Sequence, residues 1–124
     1  MEIIQTDNAP AAIGPYSQAV VSNGLVFCSG QIAISTDGTL IEGSVENQTK
    51  QVMENLSAVL TAAGSSLNKI VKTTIYLTDI NDFALVNDLY ANYFEGDAKP
   101  ARATVEVSNL PKGVKLEIDC IAEL

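Results

Sequence analysis

The sequence of 124 residues predicts a single α+β domain (residues 1–124), in which two helices pack on one face of a mixed β-sheet. Three observations lead to this fold. Segments rich in β-branched residues lie near both ends and in the middle of the chain, two stretches with helical periodicity separate them, and the resulting order is strands, helix, strand, helix, strands. Two helices cover only one face of such a sheet. Because 47% of the residues are hydrophobic and only 18% are charged, we expect another subunit on the other face.

The first strands form a hairpin. Strands are expected at residues 19–21 and 25–29, joined at Asn23-Gly24, a dipeptide typical of tight hairpin turns. The second strand is expected to continue through residues 31–34. The residues before the hairpin, 8–15, contain two prolines and a glycine and predict an irregular lead-in.

Two helices are predicted between the strands. The first follows Ser44, which can cap it, spans roughly five turns, and ends near Gly64, a residue suited to a left-handed C-terminal position. The second helix is expected near residues 82–94, and Asn87 lies on or beside its apolar stripe. The stripe consists of Phe83, Val86, Tyr90, Tyr93 and Phe94.

Three further strands complete the predicted sheet. Residues 70–77 (IVKTTIYL) are rich in β-branched side chains, and residues 103–107 follow a break at Pro100. Residues 114–122 alternate between apolar and polar side chains, so Glu117 is expected to face away from the side that the helices cover.

The composition excludes several function classes. The net charge is −8, and six lysines and one arginine form no basic cluster, which argues against nucleic acid and against an anionic membrane surface as partners. The absence of histidine removes Ser-His and Cys-His nucleophilic sites and most transition-metal sites, so no metal or cofactor is expected. Cys28 and Cys120 form no CxxC pair and are interpreted as small buried residues. No signal segment or membrane span is evident, so we expect a cytoplasmic protein.

Arg102 and Glu117 are the first candidates for chemistry. Arg102 is the only arginine and lies at the start of a strand, where its guanidinium could hold a carboxylate by two hydrogen bonds; the alternative, a surface cation that keeps the protein soluble, is equally compatible with the pattern. Glu117 could orient or deprotonate a water molecule, although a solvent-facing carboxylate on an antiparallel strand needs no function.

Weaker candidates surround two glycines. Tyr16 follows Gly14-Pro15, and Ser29 precedes Gly30, so hydroxyl groups lie where the backbone can approach a ligand closely. Gly-Pro also marks turns, and Ser-Gly marks turns or bulges. The amide of Asn87 needs a hydrogen-bond partner, and a structural partner is favoured over a ligand.

Taken together, these segments resemble the RidA family of reactive-intermediate (enamine/imine) deaminases over essentially the whole chain. The resemblance is carried by Asn8-Ala9-Pro10 through Gly14-Pro15-Tyr16-Ser17-Gln18, Ser29-Gly30-Gln31, Ile70-Val71-Lys72-Thr73-Thr74, Asn81-Asp82-Phe83, Pro100-Ala101-Arg102 with Thr104-Val105-Glu106-Val107, and Leu110-Pro111-Lys112-Gly113-Val114-Lys115-Leu116-Glu117. No single motif is specific, but all of them in this order are.

The resemblance implies a chorismate-mutase-like fold in a homotrimer, with sites between neighbouring subunits. It also implies hydrolysis of 2-aminoacrylate, 2-iminopropanoate or 2-iminobutanoate to a 2-oxo acid and ammonia, which would protect other enzymes from these reactive intermediates of amino-acid metabolism. In this family Arg102 would hold the substrate carboxylate and Glu117 the attacking water. Tyr16, Ser29 and Gly30 would line the cleft, with Asn87 nearby. Thr104, a further substrate-binding candidate, stands where relatives often have cysteine, so any role for a thiol there is lost, although the backbone amide of Thr104 could still serve a ligand.

Three alternatives stay open at this stage. The chain could be a regulatory trimer that binds 2-oxo acids without turnover. It could be an endoribonuclease or translation inhibitor, an activity also attributed to the family, although the negative charge argues against it. It could also be a purely structural trimer.

Overall fold

The computed structural model describes all 124 residues and contains one six-stranded sheet. Its strands are β1 (Glu2–Ile4), β2 (Ala19–Ser22), β3 (Leu25–Gln31), β4 (Ile70–Leu77), β5 (Ala101–Glu106) and β6 (Leu116–Glu123), and its helices are α1 (Val45–Ala62) and α2 (Phe83–Ala91). The strand order is β1-β2-β3-β6-β4-β5, and every neighbouring pair is antiparallel except β4 and β5, which are parallel. The mixed α+β sheet predicted from the sequence is confirmed.

Both helices lie on the same face because of the order of the connections. Strand β6 lies between β3 and β4 and is antiparallel to both, so β3 and β4 are parallel to each other, joined through α1. Helix α2 joins the parallel strands β4 and β5 in the same way. Such crossovers are almost always right-handed, and two of them that progress in the same direction place their helices on one side of the sheet.

Local signals fix the ends of these elements. Asn23 (φ 53°) and Gly24 (φ 76°) both adopt the left-handed conformation that a two-residue hairpin turn between β2 and β3 requires. The hydroxyl of Ser44 accepts a hydrogen bond from the backbone N–H of Asn47 and caps α1. Gly64, with φ 86°, follows the end of that helix. These three predictions are confirmed.

The two faces of the sheet differ in what covers them. Along β6 every second side chain is buried beneath the helices, and the intervening residues, including Glu117 and Asp119, are half-buried on the opposite side. We call that opposite side the open face. It also carries Phe27 and Val105, of which 41% and 42% are exposed. Scattered exposed apolar residues are common, but here they lie on one continuous sheet surface.

The structure corrects several predicted boundaries. Strand β1 was not predicted. Residues 32–33 do not continue β3, because the side-chain amide of Asn55 in α1 donates hydrogen bonds to the carbonyl oxygens of Ile32 (3.1 Å) and Ile34 (2.9 Å). Helix α2 ends at Ala91 rather than 94, strand β5 covers 101–106 rather than 103–107, and strand β6 covers 116–123 rather than 114–122. Neither helix combines the length and apolar character that crossing a membrane requires.

Candidate functional site

Arg102 is held in place by α2. Its Nη1 atom donates a hydrogen bond of 2.6 Å to Oδ1 of Asn87, and its guanidinium carbon lies 5.5 Å from the ring centre of Phe83 and 5.3 Å from that of Tyr90. Each cation–π contact of this kind is worth about 0.5–1 kcal/mol at an exposed site. The partner at Nη1 is a neutral amide and the side chain is exposed, so the cation keeps N–H groups available for an anionic ligand.

The aromatic support of Arg102 is itself anchored in the core. Tyr90 is buried, its ring packs against Phe94 with ring centres 4.7 Å apart, and its hydroxyl shares a hydrogen bond of 2.7 Å with Oγ1 of Thr73 on β4. Thr73 is the partner of Arg102 in the parallel pairing of β4 and β5, so their side chains lie on the same face of the sheet. The position of the guanidinium is therefore determined by rigid elements.

Thr104 follows two residues later on the same face of β5. Its Oγ1 atom is buried and has no hydrogen-bond partner within the chain. Buried hydroxyl groups are nearly always paired, and an unpaired one beside an arginine that also lacks an acidic partner is a candidate ligand contact.

Glu117 lies on the open face, as the alternation predicted, and its carboxylate rests over Gly30 of β3. A Cβ atom added to Gly30 would lie 2.8 Å from Cδ and 3.1 Å from Cγ of Glu117. Burial of the carboxyl group, and to a smaller extent the charge of Asp119, raises the pKa of Glu117 above the ordinary value. Asp119 accepts a hydrogen bond of 3.0 Å from the hydroxyl of Tyr76.

The N-terminal segment borders the Glu117 side of the sheet. Tyr16 is 53% exposed and lines, together with Gly30, a cavity of about 320 Å³. The hydroxyl of Ser29 donates a hydrogen bond of 2.6 Å to the carbonyl oxygen of Ser17, so this side chain fixes the segment. The buried amide of Gln18 adds further bonds to the same segment, among them one of 2.8 Å to the carbonyl oxygen of Pro10.

The candidate residues therefore form two separate groups. Arg102 and Thr104 lie on the helix-covered face of the edge strand, and Arg102 and Asn87 line a cavity of about 350 Å³. Glu117 lies on the open face, with Gly30 and Tyr16 near it. Glu117 pairs with Tyr76, which lies three residues after Thr73 on β4. Because side chains alternate between the faces of a strand, this odd separation puts Tyr76 and Glu117 on the face opposite to Thr73. No single chain brings Arg102 and Glu117 to the same small ligand.

Another cavity lies at the N-terminal segment. This larger cavity of about 500 Å³ lies between the N-terminal strand and Tyr16, and Asp7 is the only charged residue in its lining. It contains no cation for a carboxylate. No three of the Cys, Asp and Glu side chains are grouped in a way that could hold a metal ion.

The sequence pattern assigned Phe83 and Tyr90 to an apolar stripe and missed their contact with Arg102. A signal was present, because Asn87 lies four residues after Phe83 and three before Tyr90, and residues at these spacings share one helix face. An amide between two aromatic rings indicates a face that meets a polar partner. Asp119 and Tyr76 were also missed as neighbours of Glu117.

Comparisons with known proteins identify relatives over nearly the whole chain. The family model described as endoribonuclease L-PSP matches residues 6–124. A RutC family protein of Pyrococcus horikoshii is 53% identical over 122 residues, which are 98% of this chain and 96% of that protein. The 2-iminobutanoate/2-iminopropanoate deaminase of Mus musculus is 47% identical over 122 residues, 98% of this chain and 90% of that protein.

The fold is shared with solved structures of the same group. The crystal structure of E. coli TdcF with bound serine superposes with a TM-score of 0.92 at 41% identity and covers 100% of this chain and 99% of that chain. Both the fold and the family expected from the sequence motifs are thereby confirmed. The chain belongs to the endoribonuclease L-PSP family, which is the RidA family that its motifs resemble.

Proposed function

We propose that this protein hydrolyses small 2-imino acids, such as 2-iminopropanoate and 2-iminobutanoate and their enamine tautomers, to 2-oxo acids and ammonia. The observation that carries the proposal is the state of Arg102: a guanidinium held by Asn87 and two aromatic rings, without an acidic partner. Such a group binds a planar carboxylate through two parallel hydrogen bonds. The deaminase name of the mouse relative and the serine bound to E. coli TdcF support a ligand that carries a carboxylate and an amine or imine nitrogen.

The reaction needs no nucleophile from the enzyme. The C2 atom of the iminium is electrophilic, and water adds to it while the carboxylate of Glu117 accepts a proton from the water. The resulting carbinolamine then receives a proton from Glu117 on its nitrogen, the C–N bond breaks, and the C2 hydroxyl becomes the carbonyl of the 2-oxo acid as its proton is released. The departing ammonia takes up this proton and leaves as ammonium, so Glu117 ends the cycle ionised. Proton transfer by a positioned carboxylate contributes typically about 10²–10⁴-fold.

A raised pKa suits Glu117 for this role. The group must be ionised to accept a proton from water, and it must then be acidic enough to protonate the departing amine. Burial and, to a smaller extent, the nearby Asp119 raise the pKa of Glu117 above its ordinary value. The hydroxyl of Thr104, buried without a partner two residues from Arg102, is a further candidate for a hydrogen bond to the substrate.

We further propose a homotrimer in which each site combines Arg102 of one subunit with Glu117 of its neighbour. Within one chain the two groups lie on opposite faces of the sheet, so a second copy has to supply one of them. The exposed Phe27 and Val105 make the open face a suitable interface. Tyr16, Ser29 and Gly30 would then lie on the Glu117 side of the cleft, and Asn87 on the Arg102 side.

An assay with the imine made in solution tests the activity. An amino-acid oxidase converts an L-amino acid to its imine, and semicarbazide traps whatever imine has not been hydrolysed. We expect the protein to reduce the trapped imine. The variants Arg102→Lys and Glu117→Gln should lose this effect, whereas Lys50→Ala, which removes an exposed cation on α1, should keep it.

The outcomes separate the alternatives. If no amino acid gives a decrease in trapped imine, while 2-oxobutanoate binds in a manner that depends on Arg102, the protein is a 2-oxo-acid-binding regulator. If RNA is cleaved by pure protein and Arg102→Ala abolishes this cleavage, the ribonuclease interpretation is correct. If Arg102→Lys changes no small-molecule binding at all, the trimer is structural.

A further inference from the structure

We propose that Gly30 is a positioning residue for the carboxylate of Glu117, and that its missing side chain creates the space in which this carboxylate sits. The inference rests on the proposed function for its kinetic consequences, but its structural part can be measured without turnover. It differs from a role in which Gly30 merely lines the cleft, because the residue acts through Glu117 rather than on the ligand.

The geometry leaves no room for a methyl group at position 30. An ideal Cβ atom would lie 2.8 Å from Cδ of Glu117, a separation that real Cβ atoms essentially never show. All the conflicting atoms belong to the Glu117 side chain, including its Oε2 atom. The carboxylate therefore occupies the volume that any other residue at position 30 would fill.

The backbone conformation does not explain the glycine. Every other glycine of the chain has a positive φ, and Gly30 does not. An alanine could adopt the backbone angles of Gly30, so the reason for a glycine is the space above its Cα atom.

A β-bulge brings Gly30 to this place. Cys28 pairs with Cys120 and Gln31 with Ile118, so three steps along β3 correspond to two along β6. The extra residue falls at Ser29-Gly30, where the N–H of Ser29 bonds to the carbonyl oxygen of Gln18. Bulges next to functional sites redirect side chains, and this one places the Cα atom of Gly30 beneath Glu117.

The structure predicts that a methyl group here costs function rather than stability. The displaced atoms are the far end of a flexible side chain on a half-buried surface, which can rotate away without moving the backbone. A displacement of about 1 Å of a catalytic group can cost about 10²-fold in rate. We therefore expect Gly30→Ala to fold normally, with kcat reduced about 10²-fold and KM little changed.

A double-mutant cycle separates this role from direct contact with the ligand. In a Glu117→Ala background the obstructing carboxylate is absent, so adding Gly30→Ala should change neither the residual rate nor the affinity for 2-oxobutanoate. If Gly30→Ala weakens 2-oxobutanoate binding equally in both backgrounds, the glycine acts on the ligand and the proposal is wrong. An unchanged kcat in Gly30→Ala would also overturn it.

A titration by NMR tests the positioning itself. With ¹³C-labelled glutamate, and with Glu117→Gln to assign the signal, the carboxyl group of Glu117 should titrate at a lower pH in Gly30→Ala than in the unchanged protein, because the displaced group is more hydrated. This change in titration is expected even if the protein hydrolyses no imine. A lack of hydrolysis would overturn the proposed function and leave the proposal for Gly30 standing. If Gly30→Ala does not fold, the double variant with Glu117→Ala should, and its failure to fold would refute the proposal.

Discussion

Two inactive variants of this protein should restore activity to each other when they assemble together. Arg102→Ala removes the proposed carboxylate-binding group and Glu117→Ala removes the proposed proton acceptor, so each variant alone should be close to inactive. Because the two side chains lie on opposite faces of the sheet, each site of the proposed trimer takes one from each of two neighbouring subunits. A trimer that contains both variants therefore regenerates a complete site.

The expected recovery follows from the arrangement of subunits around a three-fold axis. When the variants are mixed in equal amounts, unfolded and refolded, about three quarters of the trimers contain both of them. Every such trimer has one neighbouring pair in which Arg102 and Glu117 are both intact and two pairs in which at least one is missing. The mixture should therefore recover about one quarter of the activity of the unchanged protein.

A second mixture supplies the control. The unchanged protein refolded with an equal amount of the double variant should also retain about one quarter of the activity if sites lie between subunits, and about one half if each site lies within one chain. Imine trapping measures the activity, and native mass spectrometry measures the proportion of mixed trimers. If the first mixture recovers no activity although mixed trimers are present, and the second retains one half, a site shared between subunits is refuted.

Four further predictions concern individual residues. The dependence of kcat on pH should fall on the acid side with a midpoint above the ordinary value for a glutamic acid, because Glu117 must be ionised and its pKa is raised. A raised pKa means that the folded state favours the protonated form, so Glu117 destabilises the fold increasingly as the pH rises through its folded pKa. Glu117→Gln should therefore increase the unfolding temperature at neutral pH and lose this advantage at acid pH; a decrease at neutral pH would contradict the burial argument. Asn87→Ala should raise KM about tenfold, equivalent to ~1.4 kcal/mol, with a smaller change in kcat, because Arg102 loses its charged hydrogen bond; equal losses in both would refute a positioning role. Cys28 and Cys120, which are buried, should react with a thiol reagent only on unfolding, because the hydrogen bond with the Cys120 thiol and burial also raise the pKa of Cys28 well above its ordinary value; rapid reaction of the native protein would contradict this.

The elements predicted correctly from the sequence are those whose signals are local. Strand β4 was placed at its observed bounds because eight consecutive residues favour extended backbone, and the hairpin turn was placed by Asn23-Gly24. Strand β1 has only three residues, too few for any periodicity, and it is a strand because it pairs with β2. The strand predicted at residues 32–33 is also wrong because of a contact between distant residues. The side-chain amide that binds the carbonyl oxygen of Ile32 belongs to Asn55, more than twenty residues away.

The sequence predicts which residues supply the chemical groups of the candidate site, but it does not predict the contacts that these residues make. Arg102 stood out as the only arginine, and alternation along β6 put Glu117 on the correct face. The contact between Arg102 and Asn87 depends on α2 crossing over from β4 to β5, and no pattern along the chain measures that distance. The contact between the Glu117 carboxylate and Gly30 depends on a one-residue shift in register between β3 and β6.

Three groups at this site share a property that stability alone does not favour. Arg102 has no acidic partner, the hydroxyl of Thr104 is buried without any partner, and the carboxyl group of Glu117 is half-buried beside another carboxylate. Each of them would be better satisfied by a different residue, and local violations of this kind concentrate at functional sites. In the proposed trimer these positions bring groups of two neighbouring copies together. Arg102 and Thr104 on the helix-covered face would meet an anion and a hydrogen-bond partner, and Glu117 on the open face would meet a proton donor. A water molecule and a 2-imino acid held between two subunits would satisfy all three groups.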